Sequence, residues 1–117
     1  MNKRRILIVE DEPLIAMMLE DFLEAGGMAV AGVSDTVQSA LAVAGEGGVD
    51  AAILDVNLSG GEKSWPVAQA LADKGIPFLF ATGGGNGSIH EDFRGRPTIN
   101  KPYTLDGVTA AIGNLFV

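Results

Sequence analysis

The chain has no cysteine among its 117 residues. A disulfide framework and a thiolate zinc site are therefore excluded. It is short of basic residues, with 8 Lys and Arg against 15 Asp and Glu and a formal net charge of −7. No basic stripe is present to meet phosphates, so nucleic acid is not expected as a direct partner. No apolar run approaches the roughly 20 residues of a membrane span. Asn2-Lys3-Arg4-Arg5 followed by Ile6-Leu7-Ile8-Val9 starts like a signal segment, but Glu10-Asp11-Glu12 cuts the apolar part short. A soluble, cytoplasmic protein with no membrane contact is expected. There is one histidine, His90, in a polar stretch, where it reads as a solvated side chain rather than a ligand. Gly83-Gly84-Gly85 has no Gly-Lys-Ser/Thr after it, which argues against a nucleotide loop. The one tryptophan, Trp65, reads as packing at the start of a helix.

What is present is an apolar content of 47%, enough for a packed core. The length suits one domain, residues 1–117. Apolar runs predict strands at 5–9, 28–33, 50–55 and 76–81, with a weaker edge strand at 96–100, where Pro97 is tolerated. Between them lie helical patterns. Ile15, Met18, Leu19, Phe22 and Leu23 share one face, opened by Pro13 with Asp11 or Glu12 near the cap and stopped by Gly26-Gly27. Val37, Ala40, Leu41 and Ala44 form the second, capped from Ser34-Asp35-Thr36. Ser64 is the expected cap of the third, running through Lys74, and Thr104 that of the last, with Leu105, Val108, Ile112 and Leu115 inward. Strands alternating with helices imply an α/β fold: a five-stranded parallel sheet with helices on both faces. The simplest order is the flavodoxin-like 2-1-3-4-5, whose switch point lies between strands one and three.

That order brings three acids together. Strand one ends on Glu10-Asp11 and strand three on Asp55. Taken alone, Asp55 reads as a turn starter and Glu10-Asp11 as helix-terminal charges. Together they are like charges that a fold does not converge without a compensating cation. Mg²⁺ fits, since it takes oxygen ligands and is usually held by one or two carboxylates plus a phosphate. Strand four adds the Thr82 hydroxyl to the same edge, and strand five adds Lys101, with Pro102 setting the backbone after it. Acids, a hydroxyl and a lysine on four strand ends describe a site for a transferring phosphoryl group.

Over nearly its whole length the chain resembles the receiver domains of two-component response regulators. The matching residues are Glu10-Asp11, Asp55, Asn57, Thr82 and Lys101-Pro102. The resemblance implies that Asp55 is the phosphorylation site, taking a phosphoryl group from a phosphohistidine on a sensor histidine kinase. It implies that Glu10, Asp11, Asp55 and the backbone carbonyl of Asn57 hold Mg²⁺ or Mn²⁺, and that Thr82 and Lys101 contact the phosphoryl oxygens. Receivers usually carry Tyr or Phe three residues before the lysine as a switch ring; here that position is Thr98. Pro77-Phe78-Leu79-Phe80-Ala81-Thr82-Gly83 is similar to a receiver subgroup marked by Pro-Phe-x-Phe-Ala-Thr-Gly, which lacks the aromatic switch and is associated with HWE-type kinases. By this resemblance the output is binding of a downstream protein, without turnover catalysis. The chain is expected to be a stand-alone regulator or the receiver module of a hybrid kinase.

Two other functions stay open on the residues. One is a phosphohydrolase with an aspartyl-phosphate intermediate, although Asn57 stands where that family has its general acid. The other is a flavodoxin-like ligand carrier. The segment after Thr82 carries a further expectation. It holds Gly83, Gly84, Gly85, Gly87 and Gly95, with only Ile89 and Phe93 apolar. Burying those two contributes about 3–6 kcal/mol, less than ordering about a dozen residues costs at roughly 1–2 kcal/mol each. A fourth helix that is short, irregular or absent is expected, with switching through Thr82, Gly83 and Gly84; the competing expectation is a regular helix over 88–94.

Overall fold

The computed structural model describes residues 3–58, 61–82, 93, 95–100 and 103–116. Five strands, β1 (Arg5–Val9), β2 (Ala29–Ser34), β3 (Ala51–Asp55), β4 (Phe78–Thr82) and β5 (Thr98–Asn100), form one sheet ordered β2-β1-β3-β4-β5. Every pairing is parallel. Among the described residues, four helices connect or follow them: α1 (Pro13–Ala25), α2 (Val37–Glu46), α3 (Trp65–Asp73) and α4 (Leu105–Asn114). The expected 2-1-3-4-5 order is thus the observed one.

Side chains alternate across a strand, so a sheet covered on both faces needs apolar residues at consecutive positions. The central strands meet this demand. Leu7, Val9, Ala52, Leu54, Phe78 and Phe80 pack with Ala40, Ala44, Val67, Ala68 and Leu71 from α2 and α3. Ile6, Ile8, Ala51, Ile53, Leu79 and Ala81 pack with Leu19, Leu23, Val108 and Ile112 from α1 and α4. Complete burial of β3 and β4 holds the site-bearing strand ends on rigid backbone.

The helix ends follow local chemistry. Thr36 accepts from the Ser39 N–H at 3.1 Å, and Thr104 from the Gly107 N–H at 3.0 Å, as expected of N-caps. The α1 N-cap is Glu12, whose side chain makes no capping bond, and Pro13 begins the helix. Gly27, at φ 84°, turns the chain from α1 into β2. Ser64 departs from expectation. It occupies the N-cap of α3, but at φ −84°, ψ 8° rather than in extended backbone, and its side chain makes no capping bond. Its buried hydroxyl has no hydrogen-bond partner among the described residues, while its carbonyl accepts from the Val67 and Ala68 N–H groups.

Strand boundaries shift by one or two residues from the sequence reading: β2 runs Ala29–Ser34 rather than 28–33, β4 ends at Thr82 rather than 81, and the later starts of β3, β4 and β5 have identifiable reasons. Asp50 lies outside β3 because its carboxylate accepts from the Arg5 N–H at 2.8 Å. Ile76 lies outside β4 because its N–H closes the end of α3 on the Leu71 carbonyl at 2.9 Å. Pro97 precedes β5, its carbonyl accepting from the Phe80 N–H at 3.0 Å, and has no N–H to extend the ladder. The expectations for the fourth helix and for Gly83-Gly84 fall on residues outside those described. Phe93, near the end of that connection, is described and buried, its ring centroid 6.0 Å from those of Trp65 and Phe80 and 6.2 Å from that of Phe78. Trp65 also meets Phe80 edge-on at 5.5 Å, so it packs as expected.

Candidate functional site

The site is assembled by register. Val9 pairs with Leu54, so the residues after β1 stand beside the last residue of β3. There one carboxylate oxygen each from Glu10, Asp11 and Asp55 lies within 4.8 Å of the others. Glu10 is 3% exposed and Asp55 7%, deeper than the half-buried position expected; Asp11 is half-buried. Backbone donors meet part of this charge. The Glu12 N–H donates to Glu10 Oε2 at 3.2 Å, and the Asn57 N–H donates to Asp55 Oδ1 at 3.3 Å. The donor set is oxygen only, and so suits a hard divalent cation such as Mg²⁺ rather than a soft metal.

Asn57 lies in a tight loop after β3. It forms an isolated antiparallel bridge with Lys63, whose Nζ donates to Asn57 Oδ1. The Leu58 N–H donates to the Glu62 carbonyl at 2.7 Å, and Glu62 Oε1 accepts from the Val37 N–H at 2.9 Å, tying the loop to α2. Thr82 stands one residue beyond Ala81, the β4 partner of Asp55. It is 5% exposed, and its hydroxyl donates to Asn100 Oδ1 at 2.9 Å across the paired ends of β4 and β5. Thr98 is exposed on the edge strand, opposite Phe80. Lys101 and Pro102, predicted at the same edge, lie outside the described residues.

Sequence reasoning missed three participants. Asn100 and Lys63 are polar loop or strand-end residues with no local signal. The third is Tyr103, only 7% exposed, whose ring packs in the α1 and α4 core layer. Burial, reinforced by the charges of Glu10, Asp55 and Glu12, pushes its hydroxyl well above the usual tyrosine pKa. A phenol just after the end of the edge strand was the available signal.

Parallel α/β architecture with a carboxylate cluster at its switch point defines the class, and family comparison agrees. The response regulator receiver domain family matches residues 6–92, and the chain belongs to that family. It is similar to SdrG from Sphingomonas melonis Fr1, at 61% identity over 98% of each chain and a TM-score of 0.88. The BeF3-activated conformation of SdrG from Pseudomonas melonis Fr1 aligns at 62% identity, over 97% of this chain and 96% of that one, with a TM-score of 0.84. The anti-anti-sigma factor PhyR from Bartonella quintana aligns at 26% identity with a TM-score of 0.83; 99% of this chain covers 48% of that one. Among proteins of curated function, none matches.

Proposed function

We propose that the chain is a single receiver domain, residues 1–117, that takes a phosphoryl group from a sensor histidine kinase onto Asp55 and signals through altered protein contacts. The observation that carries this reading is the convergence of Glu10, Asp11 and Asp55 within 4.8 Å at the switch point, beside the Thr82 hydroxyl. An Asp55 carboxylate oxygen attacks the phosphorus of a phosphohistidine. As the P–O bond forms the P–N bond breaks, and the imidazole leaves with the electron pair and is protonated. Glu10, Asp11, Asp55 and the Asn57 carbonyl would hold Mg²⁺ or Mn²⁺, which supplies charge neutralisation for the incoming oxygens. Thr82 turns from Asn100 to the phosphoryl group, and Lys101 adds a charge-assisted contact.

Thr98 leaves no aromatic ring for a rotation through β5, so the output runs through the β4–β5 connection, including Gly83 and Gly84, with the ring of Pro102 restricting the chain after Lys101. The Pro-Phe-x-Phe-Ala-Thr-Gly run supports a reading of the chain as a member of the subgroup without the aromatic switch, and makes an HWE-type kinase the first donor to test. PhyR from Bartonella quintana is an anti-anti-sigma factor, so a partner from sigma-factor regulation is the first downstream protein to test. The domain acts as a cytoplasmic phosphoprotein of a phosphorelay rather than as a turnover enzyme; among the described residues, no helix is long and apolar enough to cross a membrane.

Incubation with acetyl phosphate and Mg²⁺ should add one acid- and base-labile phosphoryl group, and Asp55→Asn should take none. Equal labelling of Asp55→Asn overturns the assignment. Hydrolysis of p-nitrophenyl phosphate with turnover would favour a phosphohydrolase instead.

A further inference from the structure

The Tyr103 hydroxyl is buried and has no hydrogen-bond partner among the described residues. A desolvated donor of this kind is costly unless some state of the protein supplies an acceptor. Its surroundings indicate which state does so. The ring is held by the apolar layer that includes Ile8, Ile53 and Val108. The hydroxyl lies in the field of Glu10, Asp55 and Glu12, with Glu10 the strongest of the three. Glu10 is itself buried and bonded by the Glu12 N–H at one oxygen, Oε2. A divalent cation held by the three carboxylates would offset their mutual repulsion and fix their orientation.

We propose that Tyr103 is a positioning residue of the acidic site, its hydroxyl donating to the Glu10 carboxylate when the site holds a divalent cation. The inference rests on the reading of Glu10, Asp11 and Asp55 as a Mg²⁺ site. Tyr103 follows Lys101-Pro102 in sequence and precedes α4, so the bond would also tie the loading of the site to the start of α4. A phenol is protonated, and hence a donor, throughout the physiological range.

Tyr103 is the one tyrosine in the chain, so the wild-type protein reports on it directly. In ultraviolet resonance Raman spectra, the intensity ratio of the tyrosine doublet near 850 and 830 cm⁻¹ should fall on Mg²⁺ addition, as it does when a phenol becomes a strong donor. In parallel, Tyr103→Phe should melt no lower than wild type in chelator, because the lost hydroxyl had no partner there. Its Mg²⁺ dissociation constant should rise by roughly tenfold or more, the worth of one hydrogen bond to a charged group. Asp11→Ala serves as the control for the site itself. If wild type binds Mg²⁺ and Asp11→Ala does not, yet the doublet is static and Tyr103→Phe binds like wild type, the Tyr103 role alone is overturned. If wild type shows no Mg²⁺ binding that Asp11→Ala weakens, both the site and the role fall. A clear loss of melting temperature in metal-free Tyr103→Phe would also overturn the proposal, since the hydroxyl would then have a partner without the cation.

Discussion

Neutralising Asp55 should make the metal-free protein more stable. The three acidic oxygens lie within 4.8 Å of one another. At that separation and an effective dielectric constant of about 20, one pair of unit charges repels by about 3.5 kcal/mol. Asp55 takes part in two such pairs, a gross repulsion of about 7 kcal/mol. Solvent at the half-buried Asp11 screens one of them, and the Asn57 N–H bond stabilises the charged form of Asp55 and is weakened in the amide. Further interactions of the three acids offset more of the repulsion; allowing for all of these, Asp55→Asn, which keeps shape and volume, should stabilise the fold by about 2 kcal/mol. For a domain of this size that is a rise in Tm of about 5–10 °C. Thermal melts followed by circular dichroism, first in chelator and then across a Mg²⁺ series, provide the assay. Wild type should gain about 1.4 kcal/mol when Mg²⁺ reaches roughly ten times its dissociation constant, while the variant gains little, so the gap narrows with metal. A metal-free variant that melts below wild type would refute the reasoning, because the acid cluster would then carry no net repulsion.

Asp11→Ala should lower Mg²⁺ affinity more than Glu10→Ala, a ranking that Mg²⁺ titration followed by Trp65 fluorescence or amide shifts can check. Lys101→Ala should still accept phosphate at Asp55 but lose the amide shift changes after β5 that accompany phosphorylation; identical changes in both proteins would exclude the coupling. Phe93→Ala removes a ring held against Trp65, Phe78 and Phe80. It should cost about 3 kcal/mol, the lower end for a buried phenylalanine, read as a lower urea midpoint with altered Trp65 emission. In chelator, the raised pKa of Tyr103 predicts stability that is intact below the ordinary tyrosine value of 10.0 and falls as pH rises beyond it, since the unfolded chain ionises there and the folded one does not. Tyr103→Phe should lack that part of the fall in pH-dependent melts.

The sheet order, the two-sided burial of its central strands and the acid cluster were legible in the residues. Each depends on a local signal: an unbroken apolar run such as Ala51-Ala52-Ile53-Leu54, a glycine stop such as Gly26-Gly27, and a carboxylate placed where the run ends. Parallel connection then leaves few ways to arrange those ends. Contacts between residues distant in sequence were decided only in three dimensions. Thr82 meets Asn100 because strand register pairs them, and Lys63 reaches Asn57 because the loop after β3 folds back on itself. Ser64 looked like a cap, yet the backbone at the loop's exit takes a conformation from which its hydroxyl makes no capping bond. Tyr103 could be read as one more apolar ring; the packing of α4 against the sheet seats that ring in the core and sets its hydroxyl in the field of Glu10 and Asp55. Patterns along the chain encode which face a residue takes, whereas a polar group's partner depends on how separate elements dock, which no local pattern encodes.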